Sequence, residues 1–255
     1  MRKILSTFFA AMVCGAPVFA QMGGGPGQGP GGNFDNGMEK LFGANQMFSA
    51  TMLTSISGAQ GPMTVRSKMV FDHDNSWTDM NMTDVQGPNL PPQAVAQMKS
   101  IGMDEVVTIT PADKLNVYMI YPHIHSYVAM AIPSSDATNN NFSVQTTKLG
   151  QETIDGHSCV KNDVVVTNSV QSHEFTVWNA TDLNNFPVKI AMTDQGMSVS
   201  ITFQNVVFDK PVAGLFQPPS HFTKYGTIQD LMQSALMNHP GGMPGMPSPS
   251  VSPGP

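Results

Sequence analysis

Met63-Thr64-Val65-Arg66-Ser67-Lys68-Met69-Val70-Phe71 decides the fold class. Met63, Val65, Met69 and Phe71 fall on one side of an extended chain, while Thr64, Arg66 and Lys68 oppose them. That period of two belongs to a half-buried β-strand. Working backwards, Gln46 to Ile56 repeats it with Phe48, Ala50, Met52 and Ile56 on a shared face. Working forwards, strand-like runs follow at Trp77 to Thr83, Glu105 to Thr110, Leu115 to Tyr121, Ser126 to Ile132, Val144 to Thr153, Cys159 to Asn168, Ser172 to Asn179, Pro187 to Thr193 and Met197 to Phe208. Asp74-Asn75, Pro111-Ala112-Asp113, Asp155-Gly156 and Gln195-Gly196 separate them with turn chemistry at hairpin spacing. About eleven strands in antiparallel meander order are expected.

Helical spacing is sparse. Pro91-Pro92 opens Gln93 to Ile101, where Ala94, Val95, Met98 and Ile101 share a face and Gly102 stands at the cap position. Leu231, Met232, Ala235 and Leu236 predict a second helix over Thr227 to Met237, and Met38 to Phe42 carries a weaker helical mark. The fold class is therefore mainly β: one strongly curved antiparallel sheet, a half-barrel, with one or two helices on its concave side.

The chain has 255 residues, 12 Lys+Arg against 18 Asp+Glu, and a formal charge of −6, which excludes a basic nucleic-acid binder. Met1-Arg2-Lys3, the apolar run Ile4 to Val13 and Pro17-Val18-Phe19-Ala20 have the three regions of a signal peptide covering residues 1–20, with cleavage ahead of Gln21. Acylation at Cys14 is the rival, but Val13 and Ala11 make a poor lipobox. Cleavage moves the formal charge to −8 and leaves Cys159 without a disulfide partner in an exported, periplasmic or secreted chain. Residues 21–44 are expected to be a Gly/Pro-rich flexible leader, 45–237 the folded domain, and 238–255 a Pro/Gly/Met-rich tail.

The second half carries a string: Lys148-Leu149-Gly150-Gln151-Glu152-Thr153-Ile154-Asp155-Gly156-His157-Ser158-Cys159, then Trp178-Asn179-Ala180-Thr181-Asp182-Leu183, Phe186-Pro187-Val188-Lys189-Ile190, Phe203-Gln204-Asn205-Val206 and Leu215-Phe216-Gln217-Pro218-Pro219. It resembles the bacterial domain of unknown function 4412 and, more distantly, the half-barrel superfamily of the lipoprotein carriers LolA and LolB. The resemblance covers about Val144 to Phe222 and extends to Gln46 to Tyr127 by strand rhythm alone. It implies an exported half-barrel whose concave face holds acyl chains, and it brings no catalytic set.

The residues themselves speak for binding over catalysis. Twenty methionines are the compositional outlier. Many stand on apolar strand faces, where thioethers either fill a core or pave an adaptable binding surface. If the concave face holds a ligand, Met52, Val65, Met69, Phe71, Met80, Met119, Met130, Phe175, Val177 and Phe203 are its lining, covered by a movable helix at Pro92 to Ile101. The occupant is then an apolar small molecule or a lipoprotein acyl chain, and delivering it brings transient contact with a membrane or an envelope protein.

No cofactor and no catalytic residue is assigned. His123 and His125 have a ligand spacing if the segment is extended, and His157 and Cys159 repeat it, but no third ligand is in sight, so no metal site is assigned. A Cys/His nucleophile at His157 and Cys159 lacks an orienting acid. The alternatives that stay open are Cu(I) binding by Met237, His239, Met243 and Met246 or by the His123/His125 pair, and a structural or protein-interaction domain with a filled core.

Overall fold

The computed structural model describes residues 38–59, 61–88, 90–113, 115–132, 142–168, 172–194 and 196–238. The expected signal peptide at residues 1–20, residues 21–37 of the expected leader and residues 239–255 of the expected tail lie outside them.

Each alternating run forms a strand. These are β1 (Met47–Ser57), β2 (Met63–Asp72), β3 (Asn75–Gln86), β4 (Glu105–Thr110), β5 (Asn116–Tyr121), β6 (Ser126–Ala131), β7 (Ser143–Ile154), β8 (His157–Thr167), β9 (Ser172–Ala180), β10 (Phe186–Asp194) and β11 (Met197–Val207). A twelfth, β12 (Thr223–Tyr225), is three residues long. Two helices, α1 (Pro92–Ser100) and α2 (Ile228–Asn238), complete the set with short 3-10 turns at Lys40–Phe42 and Pro122–Ile124. The β7–β8 hairpin turns at Asp155 and Gly156, both at positive φ (48° and 88°), as a two-residue turn of this kind demands. The β2–β3 turn falls one residue earlier than expected, on His73-Asp74, with His73 at φ 56° and Asp72 paired to Asn75.

One twelve-stranded sheet results, in the order β12-β6-β5-β4-β3-β2-β1-β11-β10-β9-β8-β7. It departs from a single meander in two ways. β11 returns to pair with β1, so two meanders, β1–β6 and β7–β11, join along one seam. β12 pairs with β6 in parallel, giving the edge one non-antiparallel neighbour.

The connectivity demands the curvature. β6 and β7 lie ten strand positions apart, about 48 Å along the sheet at ~4.8 Å per strand. Ala131 to Ser143 reaches at most about 43 Å fully extended. The alternation of directions also runs β6 and β7 the same way, so the end of β6 and the start of β7 are offset along the strands as well as across them. Only a sheet curving its edges toward each other permits this.

The register sorts side chains onto two faces. On the first, β1, β2, β3 and β8–β11 build a core around Phe48, Phe71, Phe175, Phe186 and Phe203. On the same face, β4–β6 pack Val106, Tyr121 and Val128 against Met98 of α1 and Leu231 and Ala235 of α2. The opposite face of β4–β6 carries Val107, Ile109 and Ile120, covered by Phe216 and Phe222 from the segment after β11. The two helices are held unequally. In α1 only Met98 is buried. In α2 two residues are buried, and its start is capped by Thr227, whose hydroxyl accepts from the Asp230 N–H at 3.0 Å and donates to the Asp230 carboxylate at 2.7 Å.

The folded unit begins before the expected boundary at 45. Met38, Leu41 and Phe42 are buried, and the Phe42 ring sits 4.8–6.0 Å from those of Phe48, Phe71, Phe186 and Phe203. Asn45 secures this segment by donating its side-chain amide to the carbonyls of Phe42 and Asn184. Met38 to Phe42 is the apolar patch of the leader, and burying it outweighs the ordering cost that Gly/Pro-rich sequence cannot offset. No described helix is long and apolar enough to cross a membrane.

Candidate functional site

All ten residues expected to line a concavity share the first face. Pairings make this explicit: Met52 stands opposite Phe203 and Ser67, Met69 opposite Ala50, Phe71 opposite Phe48, Met80 opposite Ser67 and Val106, Met119 opposite Val128, and Val177 opposite Ile190. They are not equally accessible. Val65, Met69, Phe71, Met80, Phe175, Val177 and Phe203 are buried within the larger cluster, with Met52 half-buried against it. Met119 and Met130 are half-buried against the helix-covered cluster. The face is continuous and apolar, and its cover comes from Met38 to Phe42 at one place and from α1 and α2 at another.

A row runs across this face from β11 to β5: Phe203, Met52, Ser67, Met80 and Val106 are register-matched, and Tyr121 stands one position beyond the last β4–β5 pair, Val107 with Ile120. Within or beside it stand three buried hydroxyls, those of Ser67, of Thr54 one pair further along β1, and of Tyr121, exposed by 7%, 2% and 1%. Asn45, Asp104, Ser126, Asn162 and His173 are the other buried polar residues, and each has a partner. The three hydroxyls have none among the described residues. Burial alone pushes the Tyr121 phenol up to about 12. An unpartnered buried hydroxyl costs about 1–3 kcal/mol, so these positions are unfavourable for a merely filled core. Periodicity carried the signal, since Thr54 and Ser67 occupy inward positions of otherwise apolar sets, Met52–Thr54–Ile56 and Val65–Ser67–Met69.

The histidine pair does not assemble as its spacing suggested. Pro122 starts a 3-10 turn, and His125 adopts φ 47°, so the segment is not extended. His123 places Nδ1 3.1 Å from Asp104 Oδ1 and Nε2 3.2 Å from Glu105 Oε2. His125 turns instead toward Phe222 and His221, with ring centroids 5.2 and 6.1 Å away. Among the described residues no group of three or more His, Cys, Asp or Glu is placed to hold a metal ion. Of the Met/His tail cluster, Met237 is described, at the end of α2 and 70% exposed, and the rest lies outside the described residues.

For His157 an orienting acid is present after all. Asp182, 25 positions away, sits 2.8 Å from Nδ1 and is held below the usual carboxylate range by that hydrogen bond. The nucleophile is still not assembled. Cys159 is buried, its thiol faces the His157 backbone carbonyl at 3.4 Å, and burial pushes the thiol up, away from thiolate.

A feature the sequence reading missed lies near β7. Trp178 donates its indole N–H to Glu152 Oε2 at 2.8 Å, with the ammonium groups of Lys161 and Lys189 5.0 and 4.7 Å from its ring centroid. The indole bond, ahead of the lysines, lowers the Glu152 carboxyl. Charge and ring satisfy one another here, which is a way of fixing β7 to its neighbours.

No protein-family model and no curated protein matches the chain, so the resemblance to domain of unknown function 4412 stands on the quoted string. Among solved structures it is similar to a LolA superfamily protein from Nitrosomonas europaea at 10% identity, over 72% of this chain and 94% of that one, with TM-score 0.38. Lipoprotein LppX from Mycobacterium tuberculosis follows at 14% identity, 71% and 94% coverage and TM-score 0.38. LprF from Mycobacterium bovis stands at 13%, 74% and 96%, again with TM-score 0.38.

Proposed function

We propose that this chain is an exported, non-enzymatic binding module for an apolar ligand, a lipid or the acyl chain of a lipoprotein, and that it belongs with the domain of unknown function 4412 proteins. Residues 1–20 serve as its signal peptide and the periplasm is its compartment. The observation that carries the reading is the continuous apolar face, on which all ten lining residues stand, Met52, Met69, Met80, Met119 and Met130 among them. Thioethers adapt to an occupant of irregular shape. α1 is the movable cover, since it buries fully only Met98 of its own residues, with Val95 half-buried beside it and Ile101 at its C-terminal cap as the hinge-side anchor. Ten methylenes placed on this face contribute about 8 kcal/mol before association costs, which sets the affinity near micromolar or weaker.

Native mass spectrometry of protein purified from the cell envelope, followed by organic extraction, tests this. A co-purifying lipid mass, displaced by a fluorescent fatty acid, is the expected result. A protein that arrives empty and takes up no fluorescent fatty acid refutes the reading in favour of a structural or protein-interaction domain.

A further inference from the structure

We infer that Thr54 and Ser67 form a polar anchor for the acyl carbonyl of the ligand, so that the module selects carbonyl-bearing chains, fatty acids or lipid esters, over plain hydrocarbon. The inference rests on the apolar-ligand reading and names the chemistry that reading leaves open.

Two independent observations meet here. One is the row across the sheet from Phe203 through Met52, Ser67, Met80 and Val106 to Tyr121, an apolar track crossing six neighbouring strands. The other is that the polar members of this neighbourhood are the buried side chains without a partner, whereas other buried polar groups in the described fold are satisfied. A carbonyl oxygen accepts from both a seryl and a threonyl hydroxyl, and neither hydroxyl requires a charged headgroup. Thr54 lies opposite Val65 and Ser67 opposite Met52, so the two hydroxyls are diagonal neighbours on paired strands, about 7–8 Å apart at Cα and able to converge on one oxygen. Tyr121, three strands further along the row, lies about 14 Å from Ser67 at ~4.8 Å per strand. That distance puts the phenol out of reach of the same carbonyl, so Tyr121 takes no part in the anchor.

The test compares wild type with Thr54→Val, Ser67→Ala and the double variant, using three fluorescent probes: cis-parinaric acid, its methyl ester, and the hydrocarbon diphenylhexatriene. Thermal unfolding without ligand is followed in parallel. The double variant is expected to melt at or above the wild-type temperature, because unpartnered buried hydroxyls are removed. It should lose about tenfold in affinity for the acid and the ester and leave the hydrocarbon unchanged. A loss confined to the acid assigns the anchor to free fatty acids, and an equal loss for both assigns it to acyl carbonyls in general. Equal affinity of wild type and double variant for the carbonyl probes overturns the anchor while hydrocarbon binding upholds the apolar site. A lower melting temperature with unchanged binding of all three probes also overturns it and gives the hydroxyls a purely structural role. Failure of wild type to bind any of the three removes the anchor and the apolar-ligand reading together.

Discussion

Phe42→Ala attacks the join between leader and sheet. The ring is 1% exposed and touches four other phenylalanines, from β1, β2, β10 and β11. Truncating a buried phenylalanine to alanine costs about 3–5 kcal/mol. Aromatic pairs of this geometry are worth about 0.5–1.5 kcal/mol each, but all four share one ring and are contained within that figure. Against a total stability of about 5–15 kcal/mol, the variant loses about a fifth or more. Urea unfolding followed by tryptophan fluorescence reads this as a midpoint falling by roughly 1 M or more, given slopes of about 1–3 kcal/mol/M. Leu149→Ala serves as control, since Leu149 is 56% exposed on β7 and its truncation should cost less than about 0.5 kcal/mol. A Phe42→Ala midpoint indistinguishable from that of the control would refute the placement of Met38 to Phe42 in the core.

Gly102→Ala should destabilise by about 1–3 kcal/mol, because Gly102 has φ +71° and a Cβ there would meet Ile124 Cγ2 at 2.9 Å; a melting curve shows it. Thr227→Ala should cost about 1 kcal/mol through the lost α2 cap, seen as a lower melting temperature with the strand signal unchanged in circular dichroism. Glu152 and Asp182 have lowered folded values, so the stability they confer is complete above their unfolded values of 4.5 and 3.8 and disappears as pH falls through the lowered ones. Trp178→Phe and His157→Gln should therefore lower the melting temperature at pH 7, and each gap to wild type should shrink on acidification below pH 4. A gap that widens there contradicts the hydrogen bonds assigned to these pairs. Cys159 should resist a water-soluble thiol reagent in the folded protein and react promptly in urea.

Strand periodicity made most of this fold readable, because one apolar face leaves its mark at every second residue from Phe48 to Phe203. Where the mark is too short it vanishes: Thr223–Tyr225 pairs with β6 over three residues, too few for any period. Pairing partners are a different kind of information. That β11 turns back to β1 depends on how two meanders pack, and no local pattern encodes it. Met38, Leu41 and Phe42 did carry helical spacing, but the glycines and prolines before them dominate the composition of that stretch. Among the candidate sites, alternation sufficed to place the ten apolar residues on one face. The His123 and His125 spacing misled, because Pro122 bends the backbone away from the extended geometry in which alternate side chains align. Asp182 beside His157 is a contact of distant residues that only the folded sheet creates.

The seam between β1 and β11 carries a consequence for how the chain folds. Every other adjacent pair from β6 through to β7 joins strands consecutive in sequence, whereas Met52 meets Phe203 across about 150 positions. Each meander can form from hairpins by local closure, but the seam must wait for two preassembled halves, which places it late and makes folding slow for a chain of this size. The same seam is the cheapest place to part the sheet, because opening it leaves both meanders hydrogen-bonded within themselves. Amide protons along β1 and β11 that face the seam should exchange together, ahead of those inside β9 and β10, as one cooperative opening between two halves that are otherwise intact.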